Sequence, residues 1–207
     1  KETVSFISEQ SVGIGASKEM ETFTLDKFFG PGNTQKEEYD FIGKSTIQDV
    51  ITGNYGTIFA YGQTGAGKSF SIVGPANIEV TQQSPDRGLL PRSLEFMFEC
   101  IKKEIKRSAG IEFLVKASFL EIYNEQINDL LSPDMKNLSV REDEKKGVYV
   151  EGSCEETVMG LQEAIEIFER GIRNRHVGAT LMNKESSRSH SIFTITIESK
   201  EKQDSIW

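Results

Sequence analysis

The segment Gly62-Gln63-Thr64-Gly65-Ala66-Gly67-Lys68-Ser69 constrains this chain more than any other, because it fits G-x-x-x-x-G-K-[ST]. Glycines let a backbone wrap closely enough to aim successive N–H groups at phosphate oxygens, and the positive end of a following helix adds to the attraction. Such a loop works between a strand and a helix, so it points to a layered α/β domain. Its chemistry sends Lys68 to the β and γ phosphates of a nucleotide and gives the Ser69 hydroxyl one coordination position on Mg²⁺. A glycine-rich turn with an exposed lysine is the plain alternative. It would require a chance match at every fixed position of the motif, in the right strand-to-helix context.

The flanking residues supply that context. Thr57-Ile58-Phe59-Ala60-Tyr61 is a short apolar run between Gly56 and Gly62, which predicts a strand covered on both faces. Before it, Tyr39, Ile42, Ile47, Val50 and Ile51 recur at helical intervals, predicting one helix from Gln35 to Ile51 stopped by Gly53. Leu94, Met97, Phe98, Ile101 and Ile105 mark another helical face, as do Leu161, Ala164, Ile165, Phe168 and Ile172. Ile111 to Tyr123 turns to β-branched and aromatic residues, and Phe193, Ile195 and Ile197 alternate with Ile192, Thr194 and Thr196, so both read as strands. Asn77 to Arg87, polar and holding Pro85, reads as a surface loop.

A chain of 207 residues is long enough for one domain around one sheet, and no repeat or linker divides it. With 37% hydrophobic and 27% charged residues it contains no apolar stretch that would span a bilayer, and a soluble protein is expected. The net charge of −8 argues against nonspecific binding to nucleic acid or to anionic membranes. Lys1 opens the sequence without a basic start or apolar run, so we expect an intracellular protein whose beginning lies outside this sequence. Cys100 and Cys154 stand far apart and outside any C-x-x-C pair, which makes buried thiols the default. His176 and His190 lack a third metal ligand at useful spacing and are read as structural.

Particular wording then narrows the class. Asn54-Tyr55-Gly56-Thr57-Ile58-Phe59-Ala60-Tyr61 runs straight into the phosphate loop as it does in kinesins. Asn183-Lys184-Glu185-Ser186-Ser187-Arg188-Ser189-His190, preceded by Asn174-Arg175-His176-Val177, is similar to the N-x-x-S-S-R-S-H of that family's switch I. Phe23 to Phe29, Gly88 to Arg92 and Phe119 to Glu125 also resemble kinesin segments, in the family's order. Nearly the whole chain is covered, and the sequence is identified as a member of the kinesin motor family.

That resemblance implies a P-loop NTPase fold of kinesin-motor type, three layers around a central mixed, mostly parallel sheet. It implies an ATPase stimulated by microtubules, located with the cytoskeleton in the cytoplasm. ATP or ADP would be held by Gly62, Gln63, Thr64, Gly65, Ala66, Gly67, Lys68 and Ser69, with Phe70 stacking on adenine and Asn183 supporting the switch. Ser187 would join Ser69 on Mg²⁺, Ser186 would position the attacking water, and Arg188 would pair with a glutamate of switch II. No D-x-A-G-S-E follows Ile197 and no R-x-R-P segment precedes the phosphate loop. The expectation is therefore a partial motor domain over residues 1–207, lacking the first strand and switch II onward.

Lys145 and Lys146 fall in a turn between predicted strands, where kinesins have a loop facing tubulin; a solvated charge run reads equally well. Asn183-Lys184-Glu185-Ser186 begins like a guanine-reading N-K-x-D but has Ser in place of the carboxylate, so GTP specificity is unsupported. Glu121 could imitate a Mg²⁺-holding acid at the end of an apolar strand, but Lys116 interrupts that run and kinesins do not use this position so. A noncatalytic nucleotide-binding or structural microtubule protein is the alternative to a motor, to be separated from it by the adjacent coding sequence. A small-molecule kinase would share the loop but not its flanks or the second motif. Subfamily, cargo, direction and oligomeric state are not written in these residues.

Overall fold

The computed structural model describes residues 4–16, 19–75, 84–108, 110–144, 147–182 and 189–201, with the backbone helix alone for 176–182. Three short strands open the chain: β1 (Val4–Ser8), β2 (Ser11–Ile14) and β3 (Glu21–Thr24), paired antiparallel in that order. Helices α1 (Gln35–Phe41) and α2 (Gly43–Ile51) occupy the stretch for which one helix is predicted. The start of α1 is set by a capping box, in which the Thr34 hydroxyl accepts from the Glu37 N–H while the Glu37 carboxylate accepts from the Thr34 N–H. Those bonds hold the Glu37 carboxyl below its ordinary range.

The helical interval survives across the α1–α2 junction, but Ile42 interrupts the axis. At Gly43 a Cβ would lie 2.5 Å from the Tyr39 ring, so only glycine allows the second helix to start there. Buried Tyr39 packs edge-on against Phe96, and burial pushes its hydroxyl up to about 12. The expected stop is present: α2 ends at Ile51, and Gly53 has a φ of 99°.

The centre of the domain is a long strand, β4 (Ile111–Tyr123). It turns back through Asn124 and Glu125, both at positive φ, into β5 (Gln126–Asp129). A hairpin of β6 (Val140–Asp143) and β7 (Gly147–Val150) follows, then β8 (Glu156–Thr157), which joins β4. The last strand, β9 (His190–Glu201), pairs with β4 along its length, placing Val115 opposite Ile197, Ala117 opposite Ile195 and Phe119 opposite Phe193. Alternation sends Val115, Ala117 and Phe119 to one face, and they are 4%, 1% and 1% exposed, so among the described residues the core is built on that face. Two long helices cover it, α4 (Leu89–Arg107) through Leu94, Met97, Phe98 and Ile101, and α5 (Leu161–Met182) through Ala164, Ile165 and Phe168.

Phe119 stacks on Phe168 and meets Phe193 edge-on, each at 5.2 Å between ring centres. Gly171 is what lets α5 lie this close, since a Cβ there would fall 2.2 Å from the Phe119 ring. Burying about fourteen side chains of this kind dominates the stability, at roughly 1.5–3 kcal/mol for each large one before conformational entropy is set against it.

Two features depart from the expectation of a sheet carrying the phosphate loop. Residues 57–61 are not in a paired strand, and Tyr55, Phe59 and Tyr61 are 104%, 81% and 95% exposed instead of covered. Among the described residues no strand lies beside this run, and an apolar run without a ladder partner gains neither hydrogen bonds nor cover. The second concerns direction: every strand pair formed by the described residues is antiparallel, so they do not themselves supply the mostly parallel sheet.

Candidate functional site

The phosphate loop ends in α3 (Lys68–Ile72), and its backbone has the conformation the motif calls for. Gly65 and Gly67 sit at φ 81° and 88°, the left-handed region that a side chain would strain. A Cβ at either would meet nothing within 4 Å, so here glycine serves the backbone conformation and not the space. Gly67 is also the residue before α3 and offers no side-chain cap, which leaves the first turn of the helix open to an external anion.

Lys68 is held across the loop mouth. Its Nζ donates to the Gly62 carbonyl at 2.7 Å and to the Gln63 carbonyl at 2.8 Å. The ammonium is therefore placed by the same backbone that forms the cradle. Ser69 is exposed beside it, and the Phe70 ring is 48% exposed, so one hydroxyl and one aromatic face are presented at the start of α3. A cavity of about 360 Å³ borders the loop, lined by Ala66, Lys68, Ser71, Glu38, Ile42 and Tyr61 among others. Burial pushes the Glu38 carboxyl up.

Two contacts that fix α3 carry no sequence signal. Gln35, 6% exposed, donates through Nε2 to the Phe70 carbonyl at 2.6 Å and so ties α1 to the residue after the loop. Gly88 lies so close to the last turn of α3 that a Cβ would be 2.6 Å from the Ile72 carbonyl, and its N–H donates to the Val73 carbonyl at 3.0 Å. Gly88, the first residue of the Gly88-Leu89-Leu90-Pro91-Arg92 segment, thus packs against the end of α3. Buried Arg92 anchors the approach to it by donating to the Arg87 and Pro85 carbonyls at 2.9 and 2.6 Å.

Of the residues expected at the site, Gly62, Gln63, Thr64, Gly65, Ala66, Gly67, Lys68, Ser69 and Phe70 are brought together here. Asn183, Ser186, Ser187 and Arg188 lie outside the described residues, as do Lys145 and Lys146 and the side chain of His176. Their boundaries are described: α5 runs to Met182 and Ser189 precedes β9, while β6 and β7 flank the lysine pair. Glu121, dismissed from the sequence as a metal ligand, is engaged otherwise. Its Oε1 accepts from Arg175 Nε at 3.2 Å and from Ser189 Oγ at 2.6 Å.

Comparison with known proteins agrees with this geometry. The family model of the kinesin motor domain matches residues 3–206. The human kinesin-like protein KIF15 is 45% identical over 204 residues, which cover 98% of this chain and 15% of that protein. A kinesin heavy chain of Gibberella moniliformis is 44% identical across 97% of this chain and 21% of its own length. A solved fast kinesin, described for its ATPase mechanism and its interactions with microtubules, superposes with a TM-score of 0.88 at 42% identity, covering 97% of this chain and 55% of that one. The chain thus spans from about a seventh to about a fifth of the length of these curated relatives. A P-loop NTPase backbone with the expected loop, matched end to end in sequence and in three dimensions, makes this chain a member of the kinesin motor-domain family.

Proposed function

We propose that this chain is the ATP-binding portion of a microtubule motor, in which hydrolysis at the phosphate loop is coupled to movement along the track. The observation that carries the reading is the loop itself: left-handed Gly65 and Gly67 leading into an uncapped helix, with the Lys68 ammonium pinned over the mouth. This arrangement fits a nucleotide polyphosphate, since donors and positive charge converge where anionic oxygens would sit. Among the described residues no group of three or more His, Cys, Asp or Glu is placed to hold a metal. A Mg²⁺ here would rest on the Ser69 and Ser187 hydroxyls and on the nucleotide's own oxygens, and would disperse charge on the transferred phosphoryl group.

The chain's own contribution is positioning. Gly62 to Gly67 orient the phosphates, Lys68 neutralises charge that builds on them, and the exposed Phe70 ring supplies a stacking face for adenine. Ser186, Ser187 and Arg188 take the switch I roles of placing water, supporting the cation and closing on switch II, with Asn183 bracing the loop. The domain is read as the part of a motor head between its first strand and switch II. Microtubule contact is assigned to the Lys145-Lys146 turn, and the place of action to the cytoskeleton in the cytoplasm. A noncatalytic nucleotide-binding protein finds no support in relatives that are named as kinesins over almost the whole chain.

The test is Lys68→Ala in the full-length protein. Removing one preorganised charge from a phosphoryl-transfer site costs on the order of 10²–10³ in turnover. Steady-state ATPase with microtubules should fall by that factor, and unchanged ATP affinity and turnover would overturn the assignment.

A further inference from the structure

Arg175, on α5, reaches three residues at once. Nε donates to Glu121 Oε1 on β4 at 3.2 Å, Nη1 to Ser191 Oγ on β9 at 3.1 Å, and Nη2 to both the carbonyl and the Oγ of Ser189 at 3.0 Å. The Ser189 hydroxyl closes the circuit by donating to the same Glu121 oxygen at 2.6 Å. In the ladder of β4 with β9, Glu121 stands opposite Ser191, so the carboxylate meets the guanidinium where β9 begins. The Arg175 and Glu121 side chains are 16% and 18% exposed, sheltered enough for charge-assisted bonds to exceed those of a surface pair.

A tie between a helix and a sheet would need only the Arg175–Glu121 pair. Three further bonds go to the beginning of β9, two of them to Ser189, which directly follows Arg188. Both the carbonyl and the hydroxyl of Ser189, the residue covalently joined to Arg188, are thereby held, and the planar fork of arginine suits such multiple contact. The same two donors meet on Glu121 Oε1, which serves here as an acceptor for the anchor.

We propose that Arg175 and Glu121 are positioning residues for ATP hydrolysis: they set Ser189, and through it the placement of Ser187 and Arg188 relative to the phosphate loop. The proposal rests on reading Ser186 to Arg188 as switch I. It assigns neither residue a contact with nucleotide. Their effect falls on the transition state, because misplacement by about 1 Å away from the chemistry can cost on the order of 10²-fold in rate while leaving ground-state binding intact.

The experiment compares Arg175→Lys, Glu121→Gln and Ser187→Ala in the full-length protein. Microtubule-stimulated ATPase is measured at a temperature where circular dichroism shows each variant fully folded. Lysine keeps the charge, and with it most of any structural contribution, but a single ammonium cannot span Glu121, Ser189 and Ser191. Arg175→Lys and Glu121→Gln should therefore lower kcat about tenfold or more while moving KM for ATP less than about threefold. A kcat within about twofold of the parent in both, or a loss that enters through KM, would show that the network is only structural. If Ser187→Ala lowers kcat while the other two do not, the anchor is refuted and switch I stands. If Ser187→Ala leaves kcat unchanged, the switch I reading fails and takes the proposal with it.

Discussion

Asp129 offers a sharp test of how this domain is held together, since it is 2% exposed and, among the described residues, its carboxylate accepts from backbone N–H groups. Oδ1 accepts from the Leu131 N–H at 2.8 Å and the Ser132 N–H at 3.2 Å, and Oδ2 accepts from the Cys154 N–H at 2.6 Å. One side chain thus fixes the turn after β5 and joins it to the loop that leads into β8. Hydrogen bonds to a charged group contribute about 1.5–3 kcal/mol each, and donors left buried and unmade cost about 1–3 kcal/mol. Ser132 is partly accessible and would recover water, so Asp129→Ala should destabilise by roughly 4 kcal/mol, a large share of the roughly 5–15 kcal/mol of a typical domain. Asparagine keeps an oxygen toward Leu131 and Ser132 but turns an amide donor against the Cys154 N–H, and should cost roughly half as much. Urea unfolding of the full-length protein, followed through a probe in this domain, measures both. A shift in midpoint at constant slope reports stability alone. A loss below about 1 kcal/mol for Asp129→Ala, or equal losses for the two variants, would refute the assignment of three bonds to this carboxylate.

Gly171→Ala drives a methyl group to 2.2 Å from the Phe119 ring, which Phe168 and Phe193 prevent from retreating. Overpacking of about 1–3 kcal/mol should outweigh the gain of about 1 kcal/mol in helix propensity, lowering the midpoint in thermal unfolding; a rise would show that the ring yields. Neutralising Lys145 and Lys146 together should weaken microtubule co-sedimentation at low salt and matter less as salt rises, because exposed charges are screened within about 10 Å at 0.1 M. Equal binding at low salt would assign the pair to solvent.

Local chemistry was legible where the relevant residues are neighbours in sequence. The phosphate loop is an example: two left-handed glycines, a lysine that bonds carbonyls five and six positions back, and the start of a helix lie within one short segment. Periodicity served in the same way for α4, α5 and β9, whose predicted faces include the buried Leu94, Met97, Phe98, Ile101, Ala164, Ile165 and Phe168. The same reasoning treated 35–51 as one helix, because the apolar period continues across Ile42, where α1 ends and α2 begins, and does not register the break. It also assigned 57–61 to a covered strand: an apolar run states a preference for cover without saying which segment provides it.

What the amino-acid sequence determined alone is the phosphate-loop motif, the family and the inward faces of the long elements, since each depends on residue type at short, fixed spacing. Tertiary structure alone decided which distant groups meet. Gln35 reaches Phe70 across 35 positions, Asp129 reaches Cys154 across 25, and Arg175 reaches Glu121 across 54. No period or motif marks such pairs, because they depend on how the helices and strands are laid against one another, and a buried polar group takes whichever partner that packing brings within about 3 Å.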